Sequence, residues 1–121
     1  HRMQDYRALT LEIMDLVGNK WTLLIVYTLG EGAIRFSELR RRTAPISQKM
    51  LTQTLRALER HGMVERTVLP TMPPQVEYSL TAVGRSFLGA ASVICGWTRD
   101  NVEALNAARE AFDRAVPRAA R

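Results

Sequence analysis

Apolar and polar residues alternate with the period of an α-helix over the first part of the chain. Leu9, Ile13, Leu16 and Val17 recur at helical spacing within residues 4–17, and Gly18 suits the left-handed position that ends a helix. Residues 20–29 are apolar on almost every side, which is typical of a helix surrounded by protein. The pattern predicts an amphipathic helix followed by a buried one.

Two further helical segments follow a short strand predicted at residues 34–36, and each begins near a serine. Ser37 is predicted to cap a helix that ends before Pro45, because proline disfavours helical geometry at the residue before it. Ser47 is predicted to cap a longer helix that reaches about His61 and stops at Gly62. Two capped helices joined by a tight turn over residues 37–61 predict a helix-turn-helix.

Residues 63–80 have the composition of a β-hairpin. Branched and aromatic residues occupy both halves, and Pro70, Pro73 and Pro74 lie between them, where proline does not interrupt a ladder of hydrogen bonds. Thr81 is well placed to cap a last helical region over residues 82–116. Asp100 and Glu103 resemble a capping box, so a break near Gly96 and a separate final helix are expected.

Together these elements predict a mainly α fold with a small β-hairpin, which is a winged helix-turn-helix flanked by N-terminal and C-terminal helices. The length and the 46% apolar composition fit one domain over residues 1–121. Its longest apolar run, residues 21–29, is far shorter than the roughly 20 residues that cross a bilayer. We therefore expect a cytoplasmic protein that has no membrane span.

Positive charge is concentrated in the predicted helix-turn-helix and hairpin. The whole chain has a formal net charge of +5, and residues 35–66 contain eight basic and three acidic side chains, which is the same excess. Hydroxyl, amide and basic side chains are the groups that bind base edges and phosphates. An ordinary solvated helix face is the alternative, but the position of these residues between a tight turn and a basic hairpin favours DNA. The candidate DNA contacts are Arg35, Ser37, Arg40, Arg41, Ser47, Gln48, Lys49, Thr52, Gln53, Arg56 and Arg66.

Other kinds of site are poorly supported by the sequence. Ser37 and Ser47 are explained as caps, and there is neither a glycine-rich phosphate loop nor a pair of carboxylates suited to acid–base catalysis, so we expect no enzyme and no cofactor. His61 is interpreted as a polar group at a helix end, and no metal site is expected around it. Cys95 lies among apolar residues at helical spacing and is predicted to be a buried, unreactive thiol.

A set of motifs in order along the chain resembles the HxlR-type transcriptional regulators, which are related to the MarR group. The matching segments are residues 18–22, 35–39, 46–51, 55–59, 62–66, 73–81 and 84–85. The resemblance implies a homodimer whose first and last helices form the interface, with the helix after Ser47 in a major groove of double-stranded DNA. The interface residues that it indicates are Leu9, Ile13, Phe87, Ile94, Trp97 and Leu105.

The resemblance also bears on regulation. Several such regulators sense oxidants through a cysteine about twelve residues before the Lys20-Trp21 pair, and this chain has Ala8 there, while Cys95 does not match that position. A repressor on an inverted-repeat operator is the favoured hypothesis. Two alternatives remain: a sensor whose pocket at the dimer interface binds a small-molecule effector and controls release from DNA, and a winged-helix module that binds another protein.

Overall fold

The computed structural model describes residues 3–116 and begins with two consecutive helices. Helix α1 spans Met3–Gly18 and helix α2 spans Lys20–Leu29. Asn19 has an extended backbone between them, and its side-chain oxygen accepts a hydrogen bond from the Trp21 N–H. The predicted left-handed cap at Gly18 is wrong, because Gly18 is the last residue of α1 and Asn19 caps α2 directly.

The two central helices are joined by the predicted tight turn. Strand β1 spans Ile34–Arg35, helix α3 spans Phe36–Arg42 and helix α4 spans Gln48–Arg60. The prediction of Ser37 as a cap is wrong, since Arg35 occupies the N-cap position of α3 and Ser37 lies inside the helix. Strand pairing explains the shift, because β1 holds the Arg35 backbone extended and Phe36 is then the first residue that can become helical.

A three-stranded antiparallel sheet forms the wing. Strands β2 (Val64–Leu69) and β3 (Gln75–Leu80) form the predicted hairpin, and β3 lies at the centre because it also pairs with β1. Arg35 is opposite Glu77, and Arg66 is opposite Tyr78 on the other side of β3. The three prolines lie in the loop between β2 and β3, as predicted. The mainly α winged-helix fold is therefore confirmed.

The core lies between α2, α3, α4 and the sheet. Its fully buried side chains include Ile25, Leu29, Leu39, Leu55 and Leu58, and they form one cluster with residues of β1, β2 and β3. Burial of each such side chain contributes about 1.5–3 kcal/mol relative to an exposed one. The predicted burial of α2 holds for its centre, while Leu24 and Tyr27 remain partly exposed.

Two further helices follow the wing. Helix α5 spans Ala82–Asp100, and the Thr81 hydroxyl accepts a hydrogen bond from the Gly84 N–H, as expected of its cap. Helix α6 spans Val102–Ala115. The expected break near Gly96 and the capping box are wrong, because α5 continues to Asp100 and Asn101 occupies the N-cap position without a side-chain cap bond.

By internal contacts the chain forms two compact units, one ending at Gly89 and the other beginning at Ala90. The first contains the helix-turn-helix, the wing and the first turns of α5, and the second contains the rest of α5 with α6. A single domain over residues 1–121 stays a prediction.

Candidate nucleic-acid interface

Helix α4 has a polar face opposite its buried side. Lys49, Gln53 and Arg56 follow one another at steps of four and three residues, and all three are exposed. Three leucines and Thr54 form the buried side of the same helix. This separation of the two faces lets α4 pack on the core with one side and offer cations and an amide to a ligand with the other.

The beginning of α4 is fixed by its cap. The Ser47 hydroxyl oxygen accepts a hydrogen bond of 3.1 Å from the Met50 N–H, as predicted. A serine hydroxyl that accepts such a bond still has a hydrogen to donate. Gln48 is exposed beside it, and Thr52 is half-buried one turn further on. The N-terminal turns of α4 therefore bring together hydroxyl, amide and ammonium groups.

Contacts with the first two helices hold α4 in place. Asn19 donates a hydrogen bond of 3.4 Å to the Thr54 hydroxyl, which itself donates to the Met50 carbonyl at 2.8 Å. The Arg60 guanidinium lies 3.4 Å from the Glu12 carboxylate of α1. Asn19 was not predicted as a cap, although an asparagine before an apolar helical run is a recognisable N-cap signal.

The arginines at the end of α3 differ in their contacts. Arg41 and Arg42 both donate to the Glu38 carboxylate, and Arg42 also donates to Glu31 at 3.3 Å. The hydrogen bonds from Arg41 and then Arg42 lower the pKa of the Glu38 carboxyl to about 2, against its ordinary value of 4.5. The bond to Glu38 also raises the pKa of Arg41. Arg40 is exposed and forms no ion pair within residues 3–116.

A polar hollow separates α4 from the wing. It is lined by Thr52, Arg56, Glu59, Arg66 and Tyr78. Two guanidinium groups, one from α4 and one from β2, thus border one depression together with the Glu59 carboxylate. Glu59 and Tyr78 were missed as members of this site, since the sequence identified Tyr78 only as a strand residue.

Arg35 and Ser37 lie at a second hollow, which shares Tyr78 with the first. Both are exposed there beside Phe36, Gln75 and Val76. The structure therefore does not bring all predicted residues together, because Arg35 and Ser37 line this hollow and Arg56 and Arg66 line the other.

The loop of the wing, residues 70–74, contains no charged residue, and Met72 at its tip is 96% exposed.

Comparison with known proteins identifies the family. The HxlR-like helix-turn-helix family model matches residues 16–106. The chain is 47% identical over 81 residues to an uncharacterised HTH-type transcriptional regulator of Methanothermobacter thermautotrophicus, an alignment that covers 67% of this chain and 62% of that relative. It is 40% identical over 114 residues to the regulator YdeP of Bacillus subtilis, covering 91% and 89% of the two chains.

A solved structure of a similar protein supports the same family assignment. The putative transcriptional regulator ytfH from Salmonella typhimurium is 39% identical, with a TM-score of 0.73 over 84% of this chain and 90% of that one. This chain belongs to the HxlR-like helix-turn-helix family. That family consists of transcriptional regulators, which are not enzymes.

The interface residues predicted for this HxlR-like chain fall into two groups. Leu9, Ile94 and Trp97 are 53%, 52% and 57% exposed, so their apolar side chains are available to a partner. Ile13 and Phe87 are half-buried and pack against the core, and Leu105 is half-buried on α6. Part of the side-chain surface of Ile13 and Phe87 is therefore already buried within the chain.

Two other sequence predictions concern Cys95 and His61. The predicted burial of Cys95 is wrong, because its thiol is exposed on α5. His61 is the C-cap residue of α4, with Nδ1 lying 2.9 Å from the Ala57 carbonyl oxygen. Over residues 3–116, no cluster of three or more His, Cys, Asp or Glu side chains is arranged to hold a metal ion. None of the described helices is long and apolar enough to span a membrane.

Proposed function

We propose that this HxlR-like protein is a sequence-specific DNA-binding repressor that acts in the cytoplasm as a homodimer on an inverted-repeat operator. The observation that carries the proposal is the exposed polar face of α4, on which Lys49, Gln53 and Arg56 lie opposite the buried leucines. A recognition helix in a major groove needs this combination of a packed side and a polar side.

Each group on α4 has a defined chemistry toward DNA. The Gln53 amide matches the paired donor and acceptor of adenine, and Lys49 and Arg56 match the acceptors of guanine or a phosphate. Ser47, Gln48 and Thr52 supply additional hydrogen bonds near the beginning of the helix. In this proposal α4 supplies the sequence preference.

Contacts with the DNA backbone would come from outside α4. Arg35, Ser37, Arg40 and Arg66 are all exposed, and their side chains match phosphate oxygens. Arg66 borders the same hollow as Arg56, so one strand of the backbone could lie between α4 and the wing. Such contacts add affinity and salt dependence and carry no direct sequence information.

Dimer formation is supported by apolar exposure on each unit. In the first unit Tyr6, Leu9 and Met14 of α1 are exposed, and in the second Ile94 and Trp97 of α5 are. A second copy of the chain would bury these side chains and would present two α4 helices to half-sites about one helical turn, roughly 34 Å, apart. Bound there, the dimer would exclude RNA polymerase.

The proposal is tested by selecting bound sites from random duplex DNA and measuring affinity for the selected site by fluorescence anisotropy. We expect a palindromic site, two chains per duplex, and binding at least a hundredfold tighter than to a shuffled sequence. Equal affinity for both sequences at moderate salt would overturn the sequence-specific assignment. A single chain per duplex would overturn the dimer.

A further inference from the structure

Four charged side chains form one compact network around the end of α3. The Glu38 carboxylate accepts from Arg41 Nε at 2.9 Å and from Arg41 Nη2, and it accepts from Arg42 Nε at 2.9 Å. Arg42 Nη1 also donates to the Glu31 carboxylate at 3.3 Å. Two carboxylates and two guanidinium groups therefore neutralise each other in a part of the chain that is otherwise basic.

The geometry at Arg41 determines what this arginine can bind. An arginine binds phosphate most strongly through two parallel N–H groups on one edge of the guanidinium. Arg41 already presents such an edge, formed by Nε and Nη2, to both oxygens of Glu38. A phosphate has to displace the carboxylate before it can use that edge.

Arg42 is held still more closely. It lies between two carboxylates, one on its own helix and one in the segment before β1, and its side chain is 38% exposed against 71% for Arg41. The low pKa of Glu38 means that its carboxylate stays ionised at every pH at which the protein would meet DNA. Of the three successive arginines, only Arg40 is left outside the network.

We propose that Glu38 limits the binding of this protein to DNA of arbitrary sequence by holding Arg41 and Arg42 away from backbone phosphates. This inference depends on the proposed DNA-binding function and adds a residue that limits its sequence-independent affinity. Phosphate contacts strengthen binding to every sequence alike, so withholding two of them lowers non-specific affinity while the contacts from α4 are kept. Glu38 thus lowers the sequence-independent part of the affinity, on operator and random DNA alike.

The test compares the salt dependence of binding in wild type and Glu38→Gln. Each new phosphate contact steepens the logarithmic salt slope by about 0.9 and tightens binding roughly fivefold to tenfold at 0.1 M salt. We expect Glu38→Gln to steepen the salt slope by about 0.9 to 1.8, which corresponds to one or two new phosphate contacts. The change should be seen on both a random duplex and the selected operator. Glu65→Gln, on an exposed residue of β2, removes the same charge and should leave the slope unchanged.

A second pair of variants tests the network without altering Glu38. Arg41→Ala in the wild-type background should change the salt slope by less than about 0.45. Arg40→Ala should make the slope shallower by about 0.9, which corresponds to the loss of one phosphate contact. In the Glu38→Gln background, Arg41→Ala should remove much of the gained affinity. Circular dichroism verifies that each variant is folded.

The possible failures are distinguishable. An unchanged slope in Glu38→Gln, with wild-type binding intact, overturns the role of Glu38 and leaves the proposed function standing. An equal loss of slope for Arg40→Ala and Arg41→Ala overturns it as well. Failure of the wild-type protein to bind any duplex overturns the proposed function itself.

Discussion

Gly84 lies directly against the backbone carbonyl of Met63. A Cβ atom built on Gly84 would lie 2.0 Å from the Met63 oxygen and 3.2 Å from Cδ2 of Leu80. Helix α5 therefore approaches the base of the wing so closely that only glycine fits. The Thr81 N–H donates to the same carbonyl at 3.0 Å, which fixes the beginning of α5 at this contact.

We expect Gly84→Ala to lower the free energy of unfolding by about 3 kcal/mol, because the backbone has to move to relieve the overlap. Urea denaturation at fixed protein concentration measures this. Gly89→Ala is the matched control on the same helix, since a Cβ there meets nothing within 4 Å. It should stabilise the protein by about 0.5–1 kcal/mol, and equal effects of the two variants would contradict the close contact.

The two serines near the central helices should respond differently to alanine. Ser47→Ala removes the cap of α4 and should lower the free energy of unfolding by about 1 kcal/mol. Ser37→Ala should change it by less than about 0.5 kcal/mol, because Ser37 lies inside α3 and is not its cap. Thermal unfolding measures the loss of stability in both variants. A larger loss for Ser37→Ala than for Ser47→Ala would indicate that Ser37 does cap α3.

Thr22 should tolerate the loss of its hydroxyl. The residue is fully buried, and its hydroxyl oxygen has no hydrogen-bond partner in the described part of the chain. Thr22→Val should therefore leave stability unchanged or raise it by about 1 kcal/mol. Thr54→Val, which removes bonds to Asn19 and Met50, should lower it by about 1–2 kcal/mol. Chemical denaturation of both variants checks the contrast.

Lys49→Ala and Arg56→Ala should each weaken operator binding roughly tenfold, equivalent to about 1.4 kcal/mol, without changing the oligomeric state. Both side chains are exposed on α4, so their removal leaves the core intact. Arg109→Ala on α6 removes the same charge from an exposed residue and serves as the control. Anisotropy measures affinity and sedimentation measures mass; dissociation into monomers in the α4 variants would show that these residues act elsewhere.

The Glu38 network should persist well into the acid range. Because the pKa of Glu38 is lowered from 4.5 to about 2, the stabilisation it provides is present above pH 4.5 and is lost as the pH falls toward 2. Carbon-detected NMR should therefore show an ionised Glu38 at pH 3.5. Replacing Arg41 and Arg42 together by alanine should move the titration back toward 4.5. A wild-type midpoint near 4.5 would mean that the arginines are not bound in solution.

The elements that the sequence predicted well are those whose signals are local. The bounds of α2 matched residues 20–29, and Ser47 is the cap of α4, because cap chemistry and helical period act over a few residues. Ser37 was misjudged since the pairing of β1 with β3, a contact between residues far apart in sequence, decides where α3 begins. Gly96 did not break α5, because one glycine costs a helix only about 1 kcal/mol.

The candidate site was predictable only in part. Helical period alone places Lys49, Gln53 and Arg56 on one face of α4. The hollow that joins Arg56 to Arg66 and Tyr78 depends on the distance between α4 and the sheet, which no local pattern contains. Cys95 shows a similar limit: its spacing with Ile94 and Trp97 indicates an apolar surface, but not that the chain leaves this surface exposed.

The central position of β3 has a consequence for solubility. It leaves β2 as a border strand, and a border strand is a template onto which another polypeptide can add in an amyloid-like manner. This border strand carries Glu65 and Arg66, and Pro70 follows it at once. Charge and proline disfavour such pairing, so the border of the wing is protected against the addition of another strand.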